Sequence, residues 1–174
     1  MRHRLSNYLS RVRHAAGLSC AVLVAMSSLA MAQDDESKRL NGVWMVEVTL
    51  RNCDTGAALG PPFQSLVTFE KDGTISESPG TLSFAPGQRS PGHGTWSRQD
   101  GGSYLQKMIA LILFDTPPNL PMSPGFSAGW QTVTHTVRVA DADHYTSAGT
   151  NAFYKFDGTL YRTGCSTATG QRFK

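Results

Sequence analysis

Few side chains of this 174-residue chain combine a reactive type with a suggestive setting. The most conspicuous is His93 in RSPGHGTW, residues 89–96, where flanking glycines free the backbone and let an imidazole reach a strand end. A general base of this kind needs an orienting carboxylate within hydrogen-bond reach, and no acidic residue lies beside it in sequence. His93 is therefore expected to be a turn residue bonded across to a neighbouring loop. The alternative makes it, or Glu47, a catalytic group facing a cavity. His93, His135 and His144 are the material for a metal site, but their spacing matches no recognised ligand pattern, and His135 alternates with valines as a core or face residue does. No metal and no cofactor is expected. Asp141 and Asp143 flank one alanine in a turn, the pattern of a solvated loop, with a weak calcium site as the alternative. The His-Glu-x-x-His, P-loop and dinucleotide fingerprints are absent from the sequence, and neither hydrolysis nor phosphoryl transfer is expected.

The elements that would position these residues read as strands. Trp44, Val46, Val48 and Leu50 alternate with Met45, Glu47, Thr49 and Arg51, the period of two of a half-buried strand. Asp72-Gly73 lies between two β-rich runs in FQSLVTFEKDGTISES, the dipeptide of a tight hairpin, and Asp157-Gly158 repeats the signal in NAFYKFDGTLYRTGC. SYLQKMIALILFD predicts a long strand from Tyr104 to Phe114. In GWQTVTHTVRVA, Val133, His135, Val137 and Val139 share one face, with Trp130, Thr132, Thr134, Thr136 and Arg138 on the other. Prolines at 117, 118, 121 and 124 forbid regular structure and imply a connector or lid over one end of the fold. About eight short strands without a convincing helix make the chain all-β, a sandwich or a closed barrel.

MRHRLSNYLSRVRHAAGLSCAVLVAMSSLAMAQDD has the basic, apolar and Ala-x-Ala parts of a secretory signal peptide, with cleavage expected after Ala32. Residues 33–39 then read as a flexible lead-in and 40–174 as one domain. Removal of the leader takes four arginines and no acidic residue, turning a formal charge of +3 into −1. What remains has no cluster of Lys and Arg to follow a nucleic-acid backbone, no basic amphipathic helix to lie on a membrane and no apolar run long enough to span one. Cys20 departs with the leader and is poorly placed for lipid attachment. Cys53 and Cys165 are left as an even pair in an oxidising compartment, periplasmic or extracellular, and are expected to be bridged. A bridge between the first and last strands fits an up-and-down barrel, in which those strands are neighbours and no edge is exposed.

GVW at 42–44, NCDTG, VTFEKDGTISES, RSPGHGTW, FYKFDGTLYRTGC and a closing GQRF together resemble a group of small exported bacterial proteins with a calycin-like barrel and no assigned activity. Gly42-x-Trp44 resembles the signature that opens lipocalins. Lipocalins add a helix after the barrel and none is visible after Cys165, so the resemblance is to calycin-like barrels more widely. It implies that a basic residue of the last strand packs over Trp44 and shuts one end. Arg162 is the nearest match and Arg172 the second, for a cation–π contact worth on the order of 1 kcal/mol.

An eight-stranded barrel either fills with its own side chains or holds one ligand. Trp44, Phe69, Phe114, Trp130 and Tyr154 are the aromatics expected to line such an interior. The leading expectation is non-catalytic binding of a small apolar or amphipathic ligand. Two alternatives stand beside it: a cyclase or isomerase acting in the cavity through His93 or Glu47, and a protein-binding or inhibitory module using the loops at Pro61-Pro62 and Thr116 to Phe126.

Overall fold

Period-two alternation becomes eight strands in the computed structural model, which describes residues 40–80, 84–118 and 125–174. They are β1 (Gly42–Arg51), β2 (Phe63–Phe69), β3 (Thr74–Pro79), β4 (Gly92–Arg98), β5 (Tyr104–Ile112), β6 (Gly129–Val139), β7 (His144–Lys155) and β8 (Leu160–Arg172). Each pairs antiparallel with the next, and β8 returns to β1 from Trp44↔Arg172 to Arg51↔Cys165, closing an up-and-down barrel. Closure leaves no strand edge open to another chain. The expected leader and lead-in, residues 1–39, lie outside the described residues. Among the described residues no helix is long and apolar enough to cross a membrane.

Local chemistry accounts for the turns. Gly73 supplies the positive φ of the β2–β3 turn, at 87°, while the Asp72 carboxylate accepts from the Thr74 N–H at 2.9 Å and its hydroxyl at 2.7 Å. The β7–β8 turn repeats the device, with the Thr159 N–H donating to Asp157 at 2.8 Å. Cys53, in the loop after β1, is disulfide-bonded to Cys165 of β8, with Cα atoms 5.2 Å apart. By chain entropy, closing a loop of this length is worth on the order of 4 kcal/mol.

Inward-facing side chains sort by end. Where β1 begins, Trp44, Phe69, Trp96, Tyr104 and Tyr145 are buried and meet edge to face, with centroids 4.9 Å apart for Trp44–Tyr145 and 5.6 Å for Trp96–Tyr104, the arrangement that ring quadrupoles favour. Trp44 Nε1 donates to the Leu40 carbonyl at 2.9 Å. Over this floor lies Arg172, its guanidinium 4.2 Å from the Trp44 ring. Arg162, the nearer expectation for that contact, belongs to the other end. Arg172 is the ladder partner of Trp44, whereas Arg162 lies ten residues earlier on β8, a displacement on the order of 30 Å at strand rise.

The opposite end is narrowed by a second cluster. Ile112, Phe126 and Phe153 are buried there with Phe84 and Tyr161 against them, and Phe84 stacks on Phe126 at 4.2 Å. Arg162 packs 5.0 Å from the Phe126 ring and donates to the Gly125 carbonyl at 2.9 Å. Two expectations need correction here. The fifth strand stops at Ile112 rather than Phe114, because the following loop takes over its bonding: Gln88 Nε2 donates to the Phe114 carbonyl and Thr116 hydroxyl, both at 2.9 Å. His93 is no turn residue but lies within β4, opposite Ser76 and Ile109.

Candidate functional site

Between the aromatic floor and the Phe84–Phe126–Phe153 cluster the barrel holds a cavity of about 400 Å³, within the range of small-ligand sites. Leu59 to Pro61 of the β1–β2 loop and Arg162 to Cys165 of β8 border it. The disulfide therefore ties together the two segments that frame this border.

One wall carries a buried ion pair. Glu77 points inward from β3, and Arg89, from the loop before β4, folds back so that Nη2 donates to Glu77 Oε2 at 2.7 Å. The two side chains are 10% and 4% exposed. Arg89 Nε donates to Gln131 Oε1 at 2.6 Å and Nη1 to the Ser90 carbonyl at 3.3 Å, while the Ser65 hydroxyl donates to Glu77 Oε1 at 3.3 Å. A buried pair of charges is tolerable when its remaining lone pairs and protons are bonded in this way. Gly92 makes room for it, since a Cβ there would stand 2.6 Å from Glu77 Oε2. Gly92 of RSPGHGTW thus serves the interior, Gly94 allows the close approach of the β5 backbone at Lys107 and Met108, and the histidine between them faces out.

The second polar wall is built on one rung of the ladder, where Gln106 pairs with His135, His135 with Gly149 and Gly149 with Ser166. Gly149 has no side chain, so the His135 ring crosses that position; a Cβ would come within 2.7 Å of its Cδ2. His135 Nε2 reaches the Ser166 hydroxyl at 2.8 Å and Nδ1 the Ser147 hydroxyl at 3.0 Å. Asn151 Nδ2 donates to the same Ser166 oxygen at 3.0 Å. A neutral imidazole satisfies both hydroxyls with one N–H and one lone pair. Burial favours that state, pushing the His135 pKa down to about 4.

The wall also has unused capacity. Gln106, Gln131, Asn151 and Tyr145 all line the cavity and are buried. The Gln106 carbonyl, the Gln131 amide N–H, the Asn151 carbonyl and the Tyr145 hydroxyl bond no other described residue. Burial, with the charge of Glu77 adding to it, raises the Tyr145 pKa, so its hydroxyl keeps its proton.

The expected site residues divide sharply. Trp44 and Phe69 are buried in the floor. Phe114 is 43% exposed beyond β5, and Trp130 and Tyr154 stack on each other at 5.5 Å as ladder partners on the outer phase of β6 and β7. None of the five lines the cavity: Trp44 and Phe69 belong to the floor, Phe114 follows the end of β5, and at Trp130 and Tyr154 strand alternation puts Gln131 and Phe153 inward in their place. His93 and Glu47 are exposed on outer faces, so neither is the cavity-facing group of the catalytic alternative. His144 bonds Asp141 at 2.9 Å beside an exposed turn, and Asp143 pairs with Lys174 at 2.8 Å. His93, His135 and His144 therefore occupy three separate surroundings. The polar groups that do line the cavity were marked in sequence only as misfits: Gln106 on the phase of Tyr104 and Met108, Gln131 and His135 among valines, Ser147 and Asn151 between Tyr145 and Phe153.

GFSAG, residues 125–129, matches Gly-x-Ser-x-Gly, a pattern whose chemistry depends on a strand–turn–helix elbow. Here it leads into strand β6, and Ser127 is bonded through its backbone to the Tyr161 hydroxyl at 3.1 Å, with no histidine on its own hydroxyl among the described residues. No protein-family model and no curated protein sequence matches the chain.

Proposed function

We propose that this protein is an exported, calycin-like carrier that binds one small amphipathic molecule inside its barrel without transforming it. The observation that carries this reading is the cavity of about 400 Å³, walled by polar networks and apolar strands rather than filled by side chains, as an eight-stranded barrel built to hold one ligand would be. Export is supported by the leader pattern in the sequence and by a disulfide, which persists in oxidising compartments. Catalysis is disfavoured by the state of the ionisable groups within. Glu77 is occupied by Arg89 and Ser65, and His135, depressed to about 4, is a weak base held between two serines.

The test is native mass spectrometry of the protein purified from the cells that make it, beside a Val133→Phe variant. Val133 lines the cavity, and a phenyl ring there occupies the space a ligand would use. The expected result is a retained small molecule on the wild type and none on the folded variant. A wild type that carries nothing, together with equal uptake of an apolar dye by both proteins, would overturn the reading.

A further inference from the structure

We infer that the cavity selects an uncharged ligand, one whose head both donates and accepts hydrogen bonds and whose body is apolar. The inference rests on the reading of the cavity as a binding site and adds the chemistry of its occupant. The charges within the wall answer each other: Arg89 donates one bond each from Nε, Nη1 and Nη2 to Gln131, Ser90 and Glu77, and the Ser65 hydroxyl lies against the second Glu77 oxygen. A charged ligand brought against this wall would lose its hydration and find Glu77 and Arg89 already paired with each other. Arg162 stands at the border rather than within, bonded to Gly125 and stacked on Phe126.

What the wall offers instead is dipoles. Gln106, Gln131, Asn151 and Tyr145 are 6%, 8%, 7% and 3% exposed, and each presents a bonding group with no partner among the described residues. Two of these groups are carbonyls that accept; the Gln131 amide and the Tyr145 hydroxyl donate. These atoms face the cavity space, and a site built to bond a ligand's N–H or O–H rejects analogues that lack it. Val46, Val48, Val67, Met108, Val133 and Ala168 complete the lining and suit a hydrocarbon body.

The test is calorimetric titration of the delipidated full chain at pH 7 with four probes sharing one body: octanamide, octanoate, octylammonium and n-octane. Octanamide is expected to bind about tenfold or more tightly than each of the others, a ratio of the size set by leaving buried polar groups unmet. Gln106→Leu and, separately, Asn151→Leu are expected to cut that preference over octane by about threefold to tenfold; Gln106→Met serves if the leucine variant does not fold. Octanoate or octylammonium binding as tightly as octanamide would overturn the inference and leave the carrier reading standing. Octane equal to octanamide would do the same. Failure of all four to bind, while an apolar dye also fails, would remove the carrier reading itself and this inference with it.

Discussion

The two halves of the barrel bury their interiors by opposite means. At the floor, Trp44, Phe69, Trp96 and Tyr145 fill the space edge to face, and no ionised pair is needed. In the half towards the Phe84–Phe126–Phe153 cluster, the inward positions of β3, β5, β6, β7 and β8 carry Glu77, Gln106, Gln131, His135, Asn151 and Ser166, and a void survives among them. Apolar side chains gain contacts by closing in on one another. A polar group already bonded to its neighbours gains nothing by moving and loses those bonds if it does. The floor is thus a source of stability, and the polar half is a frame that keeps its walls apart.

The largest expected effect separates the halves directly. Arg89→Met strands the Glu77 carboxylate in a buried setting and is expected to cost about 3–5 kcal/mol. Trp44→Ala removes floor volume and is expected to cost a similar amount, about 3–5 kcal/mol. The two losses differ in remedy. Adding Glu77→Leu to Arg89→Met exchanges the ion pair for apolar residues and should restore most of the stability, whereas no second substitution refills the space of an indole so simply. Urea unfolding of the four proteins reads the comparison. An Arg89→Met variant within about 1 kcal/mol of wild type would mean that the pair is not the buried frame described.

A smaller effect follows from His135, the titrating group of the polar half. Its pKa falls from the ordinary 6.5 to about 4 on folding because burial disfavours the imidazolium. Above pH 6.5 both folded and unfolded chains carry it neutral and it has no influence. As the pH drops below 6.5 the unfolded chain takes up a proton that the folded one refuses, so stability is lost progressively until about pH 4. The loss is on the order of 3 kcal/mol by linkage. Asp72, Asp141 and Asp157 are held below the ordinary carboxylate range by hydrogen bonds in their turns, so their contributions fade only beneath this window. Unfolding free energies at pH 7.5 and 4.5 should therefore differ for the wild type and nearly coincide for His135→Gln. An equal slope in both proteins would assign the acid sensitivity elsewhere.

The sequence made one side of this contrast legible. Alternation along β1 and β6 and the Asp-Gly turns depend on neighbours in the chain, and the bridge between Cys53 and Cys165 on an even count of cysteines; together they sufficed for eight strands and a closed barrel. The cavity is written less plainly. Trp130 and Tyr154 looked like lining residues because aromatics suit an interior, yet they cover each other across the ladder on the outside. The inward residue beside each was a glutamine or another aromatic, and composition does not say which phase faces in. Arg89 and Glu77 meet because a loop folds back on a strand twelve positions away, a contact with no period to reveal it. The choice of Arg172 over Arg162 was hidden for a related reason: only the β1–β8 register shows which of the two stands over Trp44.

That last pair gives the finest test of the division between floor and frame. Arg172 lies 4.2 Å over an indole, the ring with the strongest attraction for a cation, and it ties Asn41 and Ala142 to the end of β8. Arg162 lies 5.0 Å from a phenyl ring at the cavity border. Arg172→Met should therefore lower stability by about 1–2 kcal/mol, combining the cation–π contact with the lost charged hydrogen bonds, and expose the Trp44 indole to a collisional quencher. Arg162→Met should cost less, about 1 kcal/mol or under, since it loses one charged hydrogen bond, to Gly125, against the two of Arg172, and a phenyl rather than an indole partner, and should leave quenching of Trp44 unchanged. The reverse order of stabilities would place the closing contact at the other end, and the floor would then no longer be the half that holds the barrel together.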